Sequence, residues 1–318
     1  MKILVTGGAG FLGARLIEAL LAPAANDLLP AGGTIVSVDL APCPVKDPRV
    51  VSYTGDVSDP VFIASLVDSD TALVYHLAAV VSGQAEADFD LGMRVNFDAT
   101  RILLEACRQQ AQAPRFVFAS SLAVFGGPMP ERVPESLAPL PQSSYGAQKA
   151  MAELLISDYS RKGFVDGRVC RLPTISVRPG KPNAAASSFA SGILREPLTG
   201  EASNCPVPLD TRLWLSSPQT VIDNLVHAAR LDGKTLGLRR TLNLPGISVR
   251  VSEMLDSLAR VGGDAARARV SFEPDERVQR IVCSWPGDFD IERPLQLGFA
   301  VDADFDSVVR AHQRDMNR

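Results

Sequence analysis

The sequence predicts an α/β fold: a doubly wound parallel sheet with a smaller C-terminal lobe that binds substrate. Three observations predict it. Short β-branched runs alternate with helix-length amphipathic segments through the first half of the chain, the pattern of β-α-β-α units joined by right-handed crossovers. A glycine-rich turn, Thr6-Gly7-Gly8-Ala9-Gly10-Phe11-Leu12-Gly13, connects the first strand to the first helix. From Pro173 the regular alternation gives way to loops, short strands and helices. That change puts a boundary between residues 1–172 and a mainly substrate-binding lobe at 173–318, some of whose elements could return to the first domain.

Composition sets the outer bounds. The chain has 318 residues, 46% hydrophobic and 21% charged, and a net charge of −4. Neither nucleic acid nor an anionic membrane is implied as a partner by that balance. No apolar run approaches the roughly 20 residues that span a bilayer, and Met1-Lys2 leads straight into a strand, so a cytoplasmic protein is expected. The five cysteines are scattered without a C-x-x-C pair, as expected for reduced thiols. His76, His227 and His312 match no metal-ligand spacing, so no metal is expected.

The first strand is the apolar run Ile3-Leu4-Val5, and the first helix follows through Leu16, Ile17, Ala19 and Leu20. In the turn between them Gly7 can adopt positive φ and Gly10 lets a pyrophosphate approach the backbone. Gly13 allows close helix–strand packing, with Phe11 and Leu12 opening the helix toward the anion. A Pro-, Ala- and Gly-rich stretch (23–33) delays the second strand, Thr34–Val38, which ends in Asp39. A carboxylate there accepts hydrogen bonds from adenosine ribose hydroxyls and repels a 2′-phosphate, so it favours NAD over NADP.

The third strand, Val50–Tyr53, is followed by Asp56-Val57. Asp56 reads either as an acceptor for the adenine amino group, with Val57 beside the ring, or as a turn carboxylate. Pro60 opens a helix at its first position. The fourth strand, Ala72–Tyr75, runs into His76-Leu77-Ala78-Ala79. The small residues there suit close cofactor approach, while His76 reads as a structural histidine rather than a catalyst. Ser82, in the next loop, is a substrate candidate. One long helix is expected from Glu86 to Gln110, with the polar Asn96 facing the sheet or a proton path to the site.

Arg115–Ala119 forms the fifth strand and Ser120-Ser121 its end. A loop at 126–142 precedes a helix from Ser143 or Ser144 to Arg161. The sixth strand, Arg168–Leu172, is expected to close the sheet. Leu172 and Ile175 are cofactor-contact candidates, and 174–188 reads as a loop. Beyond it, strands are expected near 205–209, 239–243 and 270–272, and helices at 218–231, 252–261 and 304–316, with Ser252 as an N-cap.

Tyr145 and Lys149 stand four apart on one helix and so share a face. A neighbouring ammonium favours the phenolate of a tyrosine whose ordinary pKa is about 10. Tyr145 could then act as general base toward a substrate hydroxyl. Ser121, at the end of the fifth strand, could hold the same oxygen, or serve simply as a cap.

Taken together, Gly7-x-x-Gly10-x-x-Gly13, Asp56-Val57, His76-Leu77-Ala78-Ala79, Ser121 in its Ser-Ser-Leu-Ala-Val-Phe-Gly context and Tyr145-x-x-x-Lys149 resemble the extended short-chain dehydrogenase/reductase superfamily over nearly the whole chain. The resemblance implies a Rossmann-like NAD-binding domain, with Ser121, Tyr145 and Lys149 as the catalytic residues. It also implies Lys149 bonded to the nicotinamide ribose, Asn96 in a proton relay and a homodimer. Dehydratases of that superfamily carry Asp-Glu after the catalytic hydroxyl, where this chain has Leu122-Ala123. The stretch from Arg171 to Gly192 resembles the D-erythronate dehydrogenase subgroup, which implies oxidation of C2 of a four-carbon sugar acid. Arg178 can grip a carboxylate in bidentate fashion, and Asn183 and Ser188 can bind hydroxyls. Arg212, near Trp214, is a second anion candidate. A nucleotide-sugar epimerase and a non-catalytic NAD-sensing protein are the alternatives; the presence of both Tyr145 and Lys149 counts against the latter.

Overall fold

A computed structural model describes residues 1–180 and 185–316. Its centre is a seven-stranded parallel sheet. Six strands come from residues 1–172: β1 (Lys2–Thr6), β2 (Thr34–Asp39), β3 (Val50–Thr54), β4 (Thr71–His76), β5 (Arg115–Ser121) and β6 (Asp166–Leu172). From β1 the chain steps outward through β2 to β3, then returns to lay β4 on the other side of β1, with β5 and β6 beyond. The order therefore reverses between β1 and β4, and a crevice opens beyond their C-terminal ends.

Both faces of the sheet are covered, which is why β1 reads as an unbroken apolar run: Ile3, Leu4 and Val5 are all fully buried. On one face the helix Phe11–Leu21 turns Leu16, Ile17 and Leu20 inward to pack with Val221, Ile222 and Leu225 of the helix Pro218–Arg230. On the other, Leu103 and Leu104 of Ala99–Arg108 meet Ala152 and Ile156 of Ser144–Arg161. A separate apolar core holds the rest of the C-terminal half together, around Ile193, Leu215, Leu255 and Val309.

The structure corrects several sequence expectations. Strand β6 does not close the sheet, because Thr241–Asn243 pairs along its outer side in parallel. The expected long helix is broken: Ser82–Ala87 and Phe89–Gly92 flank an extended Asp88, and a π-helical turn, Met93–Asp98, precedes Ala99–Arg108. Asp88 makes the break by capping the second piece, its Oδ1 accepting from Leu91 N at 2.9 Å. No strand forms across 205–209, where Pro206 and Pro208 lack the N–H groups a ladder needs. Thr174–Ile175, expected in a loop, pairs with Leu215 and Ser216. Ser252 caps no helix; the helix Val251–Gly262 starts one residue earlier, with Glu253 Oε2 accepting from Arg250 N at 2.6 Å.

Candidate active site

The turn after β1 is fixed by contacts only glycine permits. Gly7 has φ of +75°, and a Cβ there would stand 2.8 Å from Ala78 N, on the strand end across the crevice. A Cβ on Gly13 would fall 2.0 Å from Gly7 O. The helix that follows has Gly10 as its N-cap and no side chain capping it, so its first N–H groups remain for an anion. Asp39, at the end of β2, accepts from Ala9 N at 3.0 Å and from Leu40 N at 2.7 Å. This is the arrangement a dinucleotide requires: donors for the pyrophosphate, and a carboxylate one strand over for the ribose.

From this turn a cavity of about 310 Å³ runs toward the ends of β4, β5 and β6. Gly7, Gly10, Phe11, Leu12 and Gly13 line one part of it, and Ser121, Tyr145, Lys149 and Arg178 another. Leu77, Ala79, Ser82, Leu172 and Ile175 also line it, so the structure brings most of the predicted residues together.

Ser121 sits where β5 gives way to a single 3-10 turn, Leu122–Val124, and its Oγ accepts from Ala123 N at 3.1 Å. The same hydroxyl favours ionisation of the Tyr145 phenol. The helix carrying Tyr145 begins at Ser144, capped by Ser143, whose Oγ accepts from Gly146 N at 3.2 Å. Burial pushes the Tyr145 hydroxyl up to about 12, against the opposing pulls of Ser121 and the Arg178 guanidinium. Lys149, 1% exposed, donates from Nζ to Ala119 O at 2.9 Å and lies 5.8 Å from the Tyr145 ring centroid. Burial draws its pKa down to about 7, with Glu153 pulling the other way.

Arg178 is positioned by its backbone: its N donates to Ser191 Oγ at 3.0 Å, and its carbonyl accepts from Arg195 Nη1 at 2.7 Å. Burial, and then Arg195, lower its pKa. Ser82 Oγ accepts from Ala186 N at 3.3 Å, tying the loop after β4 to the segment beyond Arg178. Trp285, not anticipated from the sequence, also lines the cavity; it lies in the C-terminal half, where no motif marks it.

Other predicted residues take different places. Asn96 is fully buried and not on the cavity wall: its amide accepts from Val80 N at 2.9 Å and donates to Gln148 Oε1 at 2.8 Å. It holds the loop after β4 in place. Asp56 accepts from both Ser58 N and Ser58 Oγ, which lower its pKa, and with Val57 and Ala78 it lies outside the cavity lining. Arg212 is exposed and bonds Ser248 Oγ at 3.2 Å in a surface groove with Trp214, away from the cavity. Ser188 stands in the 3-10 turn Ala186–Ser188 and does not line the cavity, whereas Ser187 does. Asn183 lies outside the described residues. His76 is locked between Thr6 and Thr100 at 2.6 and 2.9 Å, and burial draws its pKa down to about 3, so it is structural. Among the described residues no cluster could hold a metal ion.

Fold and cavity are those of a Rossmann-like protein that binds a dinucleotide, and its relatives make it an NAD-dependent oxidoreductase acting on a CH–OH group. The chain belongs to the NAD dependent epimerase/dehydratase family, whose profile matches residues 3–213. A D-erythronate dehydrogenase of Cupriavidus necator is 56% identical, with 99% of this chain and 98% of that one aligned. Another, of Haemophilus influenzae, is 51% identical over 98% of each. Among solved structures, the nucleoside-diphosphate-sugar epimerase from Agrobacterium tumefaciens matches with a TM-score of 0.92 at 41% identity, covering 99% of this chain and 94% of that one.

Proposed function

We propose that the protein oxidises the C2 hydroxyl of D-erythronate, or of a close four-carbon aldonate, to the 2-oxo acid. The observation that carries this reading is the Arg178 guanidinium, set in the same cavity as Ser121 and Tyr145 and acting on the Tyr145 phenol. A cation there can bind a carboxylate in bidentate fashion, and in a 2-hydroxy acid the carboxylate is one bond from the reacting carbon. The two relatives named D-erythronate dehydrogenase, more than half identical over nearly the full length, support the same substrate.

In this reading Arg178 holds the carboxylate, Ser121 Oγ donates to the C2 oxygen and Tyr145 Oη removes its proton. Lys149 favours the phenolate and bonds the nicotinamide ribose. The turn Gly7–Gly13 holds the pyrophosphate and Asp39 the adenosine ribose. NAD, when bound, supplies the nicotinamide carbon that accepts hydride. Trp285 and Ser187 line the same cavity.

The protein is also expected to be a cytoplasmic homodimer paired through the helices after β4 and β5. Phe89 and Leu154 there are 59% and 71% exposed in the single chain, the kind of apolar surface a partner covers. Light scattering on a sizing column tests this, and a monomer at micromolar concentration overturns it.

A nucleotide-sugar epimerase is the second reading, favoured by the likeness to the Agrobacterium tumefaciens nucleoside-diphosphate-sugar epimerase. Supplying NAD with a panel of aldonates separates the two. Net NADH with D-erythronate supports oxidation; no NADH from any acid, with C4 inversion of a UDP-sugar, overturns it.

A further inference from the structure

Behind the cavity lies a buried ion pair with no place in the scheme above. Glu153 and Arg171 have side chains only 4% and 6% exposed and meet at 2.6 Å, with Arg171 Nε also donating to both carboxylate oxygens. Ser120 Oγ donates to Glu153 Oε1 at 2.5 Å, and Arg171 Nη1 donates to Asn243 Oδ1 at 3.3 Å. The guanidinium also lies 4.6 Å from the Phe125 ring centroid. This network joins the elements that present the reacting groups. Ser120 adjoins Ser121, Arg171 adjoins Leu172, and Glu153 stands one helical turn beyond Lys149 on the same face.

We propose that Glu153 is a positioning residue that holds Lys149 as a cation beside Tyr145, while Arg171 and Ser120 fix the carboxylate for that role. The proposal rests on Lys149 being part of the reactive group.

Lys149 carries its charge in a poorly solvated place. Nearby, β4 contributes His76, which is neutral at physiological pH, and β5 contributes the Ala119 carbonyl, the Phe118 ring, whose centroid is 4.6 Å from Lys149 Nζ, and the serine hydroxyls. Arg171 comes from β6 and is spent on Glu153; Arg178 faces Tyr145. Tyr145 and Glu153 lie on the helix of Lys149 itself, and Glu153 is the group that raises its proton affinity. When the Tyr145–Lys149 pair has lost one proton, two arrangements compete: ammonium with phenolate, or amine with phenol. A buried carboxylate fixed one helical turn from the amine favours the first, which is the one able to take a proton from substrate.

The chain has six lysines, so NMR of protein carrying ¹³Cε-lysine can follow Lys149 directly, with Lys149→Arg to assign its signal. No NAD or substrate is needed, so the outcome is independent of which acid the enzyme oxidises. In Glu153→Gln the midpoint of Lys149 should fall by about one pH unit or more, a tenfold loss of proton affinity. Glu153→Asp should restore part of it. With NAD and substrate, the plateau kcat should fall about tenfold at little changed KM, and the first apparent pKa should move to lower pH. A folded Glu153→Gln whose Lys149 midpoint is unmoved overturns the proposal, even if its melting temperature drops. Should that variant not fold, Glu153→Gln with Arg171→Met removes both buried charges; its Lys149 midpoint should still fall, and an unmoved one overturns the proposal equally.

Discussion

Arg178 and Tyr145 line the same cavity, where the guanidinium pulls the phenol toward ionisation, while Lys149 Nζ donates to Ala119 O. In the proposed reaction, a residue from beyond the sheet would thus join the chemistry to substrate recognition.

Arg178→Gln is expected to raise the KM for the sugar acid by about 30-fold or more, since removing one partner of a desolvated charge pair typically costs 2–5 kcal/mol. The Kd for NAD should stay within about twofold, which fluorescence quenching can measure. An unchanged KM would move the carboxylate elsewhere.

Lys149 works at a cost to the fold. Its pKa is drawn from 10.5 down to about 7, so between those values the unfolded chain binds the extra proton. Folding is penalised at pH 7, and the penalty shrinks as pH rises toward 10.5. Lys149→Met should abolish turnover yet raise stability at pH 7 by a few kcal/mol, with less gain at pH 9. Urea unfolding at both values checks this, and a destabilised variant at pH 7 would contradict it.

His76 gives the acid side its own signature. With its pKa drawn from 6.5 down to about 3, the unfolded state takes up a proton that the folded state refuses. Stability falls as pH drops below about 6.5, by up to about 1.4 kcal/mol per unit from this group. His76→Gln should flatten that slope between pH 6.5 and 4.5; an identical slope would place the acid sensitivity in other groups.

Gly13→Ala sets a Cβ against Gly7 O, at 2.0 Å before relaxation. Overpacking of this kind costs about 1–3 kcal/mol, and the displaced turn should weaken NAD binding about tenfold or more. Calorimetric titration with NAD measures it, and parent-like affinity would show that the turn can yield.

Much of this was legible in the sequence because each signal was local. Gly7, Gly10 and Gly13 stand in one turn, Tyr145 and Lys149 on one helix, and β1 to β6 carry their own apolar runs. The misses needed partners far along the chain. Thr241–Asn243 is too short to announce which edge it joins. Trp285 lines the cavity only because the C-terminal half folds back over the sheet. The Asp88 cap broke a helix whose apolar periodicity ran on unbroken.

The proposed role of Tyr145 is to take the proton from the C2 hydroxyl of a small sugar acid. Its most direct test follows NADH on mixing the parent protein, and then Tyr145→Phe, with NAD and D-erythronate. The account predicts steady NADH from the parent and a loss of about a thousandfold or more in the variant, with NAD affinity retained. Parent-like turnover by Tyr145→Phe, or no NADH from the parent, would contradict it.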